Sequence, residues 1–239
     1  MISIIIPTLN EEDYLPRLIE SIKRQNFSDY EIIVSDGGSS DRTIEIAESF
    51  GAKTVVDSSI KHPSAQRNNG SKIAQGEILV FVDADSVLPE NFLSFSLDQF
   101  QKRALGVSAF YINFHPNKFF YNLYSFVSNT TCFFKQYGKY PAAIGAGIMI
   151  KKEINDKING FDLSVLLAED CDYCARATSF GKFRMIKGIK LLYSSRRIEK
   201  EGFYRSGWKW LKMGLFTLRN KRIRTKIFDY DFGVFGKRK

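Results

Sequence analysis

The residues best suited to chemistry in this chain are acidic, and they recur in short clusters. Asp83-Ala84-Asp85 follows the apolar run Ile78–Val82. Residues two apart on an extended chain face the same side. The two carboxylates therefore converge at a strand end and repel each other unless a cation lies between them. Hard oxygen donors of this kind suit Mg²⁺ or Mn²⁺, which keep several waters and take phosphate oxygens as further ligands. The plainer alternative is an Asp pair bonded to the next helix's N-terminus. Glu169-Asp170-Cys171-Asp172 stacks three acids at a helix start, where the macrodipole favours them on structural grounds alone. Crowding also raises one carboxyl's pKa, as a general base requires. Asp36-Gly37-Gly38-Ser39-Ser40-Asp41 is either a turn with a helix cap or a strand-end carboxylate that accepts from a base N–H or a sugar hydroxyl. It lacks the lysine and spacing of a P-loop. Gln66-Arg67-Asn68-Asn69-Gly70 gives a solvated helix face or a guanidinium fork aimed at a diphosphate. Cys171 and Cys174, with Cys132 the one other cysteine, do not make a zinc site. His62 and His115 both precede proline in extended or turn segments and make no catalytic case.

Alternating strands and helices must position these clusters. Ser3–Ile6, Glu31–Ser35, Lys53–Val56 and Ile78–Val82 read as strands, the last wholly apolar as buried parallel strands are. Between them lie a helix with Leu15, Leu18, Ile19 and Ile22 on one face, a second from Asp41 to about Phe50, and a third over Ser64–Ala74. Pro89 is expected to open a fourth. This order implies an open, mostly parallel α/β sheet with helices on both faces, whose ligands collect beyond the carboxyl ends of the strands. The loops there, Pro7–Glu12, Asp36–Asp41 and Asp83–Ser86, hold most of the small polar residues of the first half. Beyond residue 104 the pattern is less regular. Ala142–Ile150 is expected to be a strand in which Gly145 and Gly147 allow close approach, Glu169 to about Phe180 a helix, Leu191–Ser194 a short strand, and Phe203–Leu218 a helix with Trp208, Leu211, Leu215 and Leu218 on one face.

Composition narrows the class. The 239 residues carry 44% hydrophobic and 26% charged side chains, which excludes wholesale disorder. Three cysteines fit a reducing compartment. No apolar run approaches the roughly 20 residues that span a bilayer, and Ile2–Ile6 is too short for a signal peptide, so a soluble or peripheral protein is expected. The net charge of +9 is unevenly placed. From residue 180 onward 18 Lys/Arg face 4 Asp/Glu, whereas the first 179 residues carry 17 against 22. An acidic body with a basic end that meets an anionic partner follows.

Taken in order, the motifs Pro7-Thr8-Leu9-Asn10-Glu11-Glu12, Asp36–Asp41, Arg67-Asn68-Asn69-Gly70, Asp83-Ala84-Asp85, Gly145-Ala146-Gly147, Gly160-Phe161-Asp162 and Glu169-Asp170-x-Asp172 resemble the family 2 inverting glycosyltransferases with the GT-A fold, over about residues 1–195. The resemblance implies a catalytic domain over 1–200, with a nucleotide-sugar-binding half (1–104) and an acceptor half (105–200), and a basic, aromatic C-terminal helical extension over 201–239. It implies that Pro7, Thr8, Asn10, Glu11 and Asp36 hold a UDP- or GDP-linked donor together with Arg67, Asp83, Ala84 and Asp85. Asp85 and Asp83 would bind the Mg²⁺ or Mn²⁺ that bridges the diphosphate. Asp170 would be the catalytic base, supported by Glu169. The late histidine that many GT-A enzymes add as a metal ligand has no counterpart here. Arg196 and Arg197, in Ser195-Arg196-Arg197, are expected to hold donor or acceptor phosphate in its place, near Gly145 and Gly147.

The second half bears on the acceptor. Residues 110–140 contain 12 Phe/Tyr in 31 positions. Phe119, Phe120, Leu123, Phe126 and Val127 recur at helical spacing, with Phe133, Phe134 and Tyr137 beyond. Core packing is the simpler expectation for most of them, and an apolar surface lying on a bilayer is the other. Trp208, Trp210, Leu211, Leu215 and Phe216, next to Lys209, Lys212, Arg219, Lys221, Arg222, Arg224 and Lys226, suit an interfacial helix on anionic lipid. A basic tail on a solvated face explains the charges equally well but not the two tryptophans. A lipid-linked or cell-envelope glycan acceptor and a cytoplasmic or peripheral membrane location are therefore expected, with a sugar acceptor on a soluble molecule as the alternative. A nucleotidyltransferase would need a basic, glycine-rich loop where Thr8–Glu12 is acidic. A nucleic-acid module would leave the Asp-x-Asp unexplained, so no nucleic-acid partner is expected.

Overall fold

The computed structural model describes residues 1–138, 140–218, 223 and 224, and in the last helix the side chains of 210, 211 and 213–218 lie outside the described set. In chain order the elements are β1 (Ile2–Thr8), α1 (Leu15–Lys23), β2 (Tyr30–Asp36), α2 (Thr43–Ser49), β3 (Lys53–Val56), α3 (Pro63–Ile73), β4 (Ile78–Val82), β5 (Ser86–Val87), α4 (Phe92–Lys102), β6 (Val107–His115), α5 (Phe119–Lys135), β7 (Gly147–Lys151), α6 (Lys152–Lys157), α7 (Glu169–Ala177), β8 (Phe183–Ser194), α8 (Arg196–Glu201) and α9 (Phe203–Leu218). The strands form one open sheet in the order β3-β2-β1-β4-β7-β6-β8-β5. β1 pairs in parallel with both β2 and β4, and β6 with β8. β7 runs antiparallel between β4 and β6, and β5 antiparallel to β8. The sheet is mostly parallel, as expected, with two reversed strands.

Alternating side chains feed two cores. Ile4, Ile6, Val80 and Val82 point to the face covered by α1, α2 and α4, where Leu15, Leu18, Ile19 and Ile22 are fully buried. Each such side chain is worth roughly 1.5–3 kcal/mol. Ile5, Leu79 and Phe81 point to the other face, against α6 and α7 through Ile154, Tyr173 and Cys174. Gly70 lets α3 lie close on that face, since a Cβ there would stand 2.5 Å from Ile5 Cγ2.

Several boundaries differ from the sequence expectation. Pro89 does not open a helix: Asn91, at φ +60°, intervenes, and α4 starts at Phe92, whose N–H donates to the Pro89 carbonyl. The strand expected over Ala142–Ile150 begins only at Gly147. The final strand is three times longer than its readable end, Leu191–Ser194, because Gly188 at φ +93° and a register shift opposite Phe110/Tyr111 interrupt its alternation. Helix α7 stops at Ala177 rather than near Phe180.

The largest difference concerns α5. Core packing was the simpler expectation for its aromatic residues, yet Phe119, Phe120, Leu123, Phe126, Val127, Phe133, Phe134 and Tyr137 are all exposed. The reason is the edge of β6. β7 ends opposite Ala109, so the backbone of Ile112 and Phe114 lacks a strand partner there. Asn129 of α5 fills the gap, accepting from Ile112 N at 3.0 Å and donating to its carbonyl at 2.8 Å, and Ser125 Oγ accepts from Phe114 N. These polar residues share the inward side of α5 with buried Tyr124 and Cys132, and the larger apolar arc turns outward. α9 spans Phe203–Leu218 as expected and packs on α5 where Tyr124 Oη donates to the Phe203 carbonyl at 2.8 Å. Of the face expected from Trp208, Leu211, Leu215 and Leu218, Trp208 has a described side chain and is exposed. Leu211, Leu215, Leu218, Trp210, Phe216 and the cations Arg219, Lys221, Arg222 and Lys226 lie outside the described residues or side chains. Arg224 lies within them and pairs with Asp162 at 3.4 Å.

Candidate active site

The carboxyl ends of β1, β2 and β4 bring the first three motifs together. Asp36 is fully buried and accepts four hydrogen bonds, from Thr8 Oγ1 (2.7 Å), Gly38 N (2.8 Å), Ser39 N (2.6 Å) and Ser39 Oγ (2.6 Å). Its carboxylate is thus committed to shaping the loop after β2. Asn10, at φ +56°, stitches that loop to the one after β1: its N–H donates to Ser39 Oγ and its Oδ1 accepts from Ser40 N. Asp36 and Asn10 build the wall of the site, whereas Pro7, Thr8, Leu9 and Glu11 line a cavity of about 880 Å³.

Two arginines organise the acids within it. Arg67, on α3, is buried and donates from Nη2 to Asp83 Oδ1 at 2.8 Å and from Nη1 to Glu169 Oε1 at 3.0 Å. The fork expected to face a diphosphate is therefore spent on two carboxylates, which hold it protonated more firmly than usual despite its burial. Arg196, just after β8, grips Glu11 with both terminal nitrogens and Asp85 Oδ2 with Nε, all at 2.7 Å, and lies 4.4 Å from the Tyr14 ring centre. Burial pushes Glu11 up to about 7, against the pull of Arg196 and with help from Asp85 and Asp83. Burial raises Asp85 as well, with Arg196 opposing.

Across the cavity, α7 presents Asp170. Its Oδ1 accepts from the Cys171 N–H at 2.7 Å. Burial, reinforced by the Glu169 charge, lifts its carboxyl to about 7, with the Cys171 N–H and Arg67 opposing. Gly145 keeps this wall open: a Cβ there would sit 3.4 Å from Asp170 Oδ2 and 3.5 Å from Arg67 Nη2. Gly147 plays a different part, packed in β7 where a Cβ would stand 2.8 Å from the Phe110 ring. Ala84, Asp83, Asp85, Glu169, Arg196 and Arg197 also line the cavity. Leu123, Val127 and Phe203 add apolar surface to its lining, beside Ser128, Thr131 and Lys135. The Arg67 motif is braced from behind: Asn68 bonds both the N–H and the carbonyl of Phe161, whose ring stacks on Tyr173 at 3.9 Å. Sequence reasoning missed Tyr14, an aromatic under a guanidinium that no local pattern marks. It also missed His62, which caps α3 by accepting from Ser64 N.

The open α/β sheet, with paired acids at the end of β4 lining one cavity with Asp170, has the architecture of the GT-A type. Residues 3–158 match the Glycosyl transferase family 2 model, and the chain belongs to that family. It is 41% identical over 96 residues to a PGL/p-HBAD biosynthesis glycosyltransferase of Mycobacterium bovis, covering 38% of this chain and 37% of that protein. It is 37% identical over 99 residues to the GalNAc(5)-diNAcBac-PP-undecaprenol beta-1,3-glucosyltransferase of Campylobacter jejuni, covering 39% and 32%. The matches thus span about a third of the length of these curated relatives. Among solved structures it resembles S. aureus TarS 1-349, with a TM-score of 0.67 at 20% identity over 81% of this chain and 60% of that one. It also resembles a Pyrobaculum calidifontis mannosyltransferase solved with GDP-Man and Mn²⁺, with a TM-score of 0.65 at 20% identity over 81% and 56%.

Proposed function

We propose that this chain is an inverting glycosyltransferase that moves a sugar from a UDP- or GDP-linked donor to an acceptor hydroxyl. The observation that carries the reading is the placement of Asp83 and Asp85 at the end of β4, across one cavity from Asp170 at the start of α7. Pro7, Thr8 and Glu11 lie where the base and ribose of the donor would rest. Relatives in fold were solved with UDP, UDP-GlcNAc and GDP-Man, which supports a nucleotide sugar without choosing its base.

The donor set suits a divalent cation. Asp83 and Asp85 each commit one oxygen to an arginine, and no described residue bonds the other oxygen of either carboxylate. Two free carboxylate oxygens match Mg²⁺ or Mn²⁺ that is otherwise held by water and substrate phosphate. Among the described residues there is no cluster of three or more protein ligands, in keeping with a site completed by the donor. Such a cation would neutralise charge developing on the departing nucleoside diphosphate.

Asp170 acts as the base. With its pKa near 7 it is partly ionised at neutral pH and basic enough to take the acceptor's proton. The acceptor oxygen forms its bond to donor C1 as the bond from C1 to the diphosphate oxygen breaks on the opposite face. One displacement inverts the anomeric centre. Glu169 anchors Arg67 and raises the basicity of Asp170. Arg197, which lines the same cavity, is the arginine we assign to donor or acceptor phosphate. Arg196, expected to share that role, has its three nitrogens committed to Glu11 and Asp85 and braces those acids instead.

The acceptor is a lipid-linked or cell-envelope glycan, and the protein works at the cytoplasmic membrane face. The apolar lining residues Leu123, Val127 and Phe203 support this, as do relatives named for transfer to an undecaprenol-linked glycan and to poly(ribitol-phosphate). No helix among the described residues is long and apolar enough to cross a membrane. The test is a thermal-shift panel of UDP- and GDP-sugars with and without Mn²⁺, on wild type and Asp85→Ala. A ligand at ~100 times its Kd adds about 2.7 kcal/mol. Stabilisation by one nucleotide that needs metal and Asp85 is the expected result. Folded wild-type protein that no nucleotide shifts would refute the reading.

A further inference from the structure

Helix α5 carries its larger apolar face outward. Its inward side holds Tyr124 and Cys132 together with Ser125 and Asn129, which serve the edge of β6, and its phenylalanines occupy the opposite arc. Phe119, Phe126 and Phe133 repeat every seven residues, and Phe120, Val127 and Phe134 form the row beside them. Phe119, Phe126 and Phe134 expose 75%, 67% and 70% of their surface. A contiguous apolar face of this kind marks an interaction surface.

Among the described residues, cations stand beside the rings of that face, and the acid that meets α5, Glu199, accepts from Tyr121 on the helix's other side at 3.3 Å. Between Asp98 and Glu153 the chain has no acidic residue, and none occurs in β8. Lys118 stands at the N-terminal end of α5, Arg184 lies 4.7 Å from the Tyr137 ring centre, and Lys187 lies 5.3 Å from that of Phe133. Lys187 and Lys190 line a groove of about 600 Å³ together with Phe126 and Phe133. Cations beside exposed aromatic rings match the boundary between acyl chains and anionic headgroups. A second copy of the chain, docked by the same face, would oppose lysine to lysine across a symmetric contact.

We propose that the outer face of α5, rimmed by Lys118, Lys187 and Lys190, docks on an anionic lipid bilayer. The phenylalanines enter the headgroup–acyl boundary and the lysines meet lipid phosphates. Leu123 and Val127 belong both to this face and to the lining of the catalytic cavity. The apolar chain of a membrane-borne acceptor therefore reaches the cavity without crossing water, a consequence that rests on the glycosyltransferase reading, whereas the docking itself does not.

The test is sedimentation of the full chain with phosphatidylcholine vesicles, with and without phosphatidylglycerol, for wild type, Phe126→Ser/Phe134→Ser and Lys187→Glu/Lys190→Glu. Wild type is expected to bind only vesicles containing phosphatidylglycerol and to be released by salt. Each double variant is expected to bind at least about tenfold more weakly. The nucleotide-induced thermal shift is read on the same samples. It reports that each variant is folded, and it fails on its own if the donor reading is wrong. Absence of wild-type binding to anionic vesicles would overturn the proposal, as would variants that bind as tightly as wild type. So would a stable dimer in solution that Phe126→Ser/Phe134→Ser splits, which would assign the face to a second copy.

Discussion

Removing Arg196 gives the sharpest test of how the site is held together. Its guanidinium makes three contacts at 2.7 Å with two carboxylates, Glu11 and Asp85, and all three side chains are largely buried. With charges roughly 4 Å apart and an effective dielectric of about 20, each pair attracts by on the order of 4 kcal/mol before desolvation is subtracted. Truncating one partner of such a pair costs about 3–5 kcal/mol, because the remaining charge is left buried. Arg196→Ala should therefore lose about 3–5 kcal/mol of stability near neutral pH, read from urea unfolding. The loss depends on pH with a defined sign. Glu11 already titrates at about 7 rather than 4.5 with the arginine present. A carboxyl raised in the folded state favours folding most below its unfolded pKa, and that contribution is lost as pH rises through the folded value. Without Arg196 both carboxyls rise further, so the variant loses stability over a wider range. The gap from wild type should be widest above about pH 8 and shrink toward about pH 5 as both groups take up protons. Adding Glu11→Gln should return part of the loss by removing one orphaned charge. An Arg196→Ala protein within about 1 kcal/mol of wild type at about pH 8 would refute this account of the cluster.

Three other substitutions test the remaining parts. Asp170→Asn should lower transfer by about 10²–10⁴-fold while leaving the nucleotide-induced thermal shift intact. Because Asp170 titrates at about 7 instead of 3.8, wild-type kcat/KM should rise with pH through about 7, and Glu169→Gln should move that limb to lower pH by removing the neighbouring charge. The same shift means that ionising Asp170 disfavours the fold as pH rises between 3.8 and about 7. Asp170→Asn should accordingly be more stable than wild type above that window and not below it. Asn129→Leu should cost about 2–4 kcal/mol in urea unfolding, since the Ile112 N–H and carbonyl each lose a partner. Unchanged stability would remove the explanation given for the inverted face of α5.

What the sequence determined by itself was local and periodic. The runs Ile2–Ile6 and Ile78–Val82 could only be buried strands, and Leu15, Leu18, Ile19 and Ile22 could only be one face of a helix, because period and apolar content are written along the chain. The acidic and small polar residues fell at strand ends, so the site's position at one edge of the sheet was legible too. Tertiary structure decided which groups meet. Arg196 reaches Glu11 across 185 residues of sequence, and Arg67 bonds Glu169 across 102, pairings that no spacing rule encodes. The insertion of antiparallel β7 between β4 and β6 was likewise invisible, since a buried strand looks alike in either direction. The outward aromatic face of α5 followed from that insertion. Where β7 ends, β6 needs hydrogen-bond partners, Ser125 and Asn129 supply them, and the phenylalanines are left on the outside. A helical pattern shows where the apolar arc lies, but only its neighbours decide whether that arc faces the core.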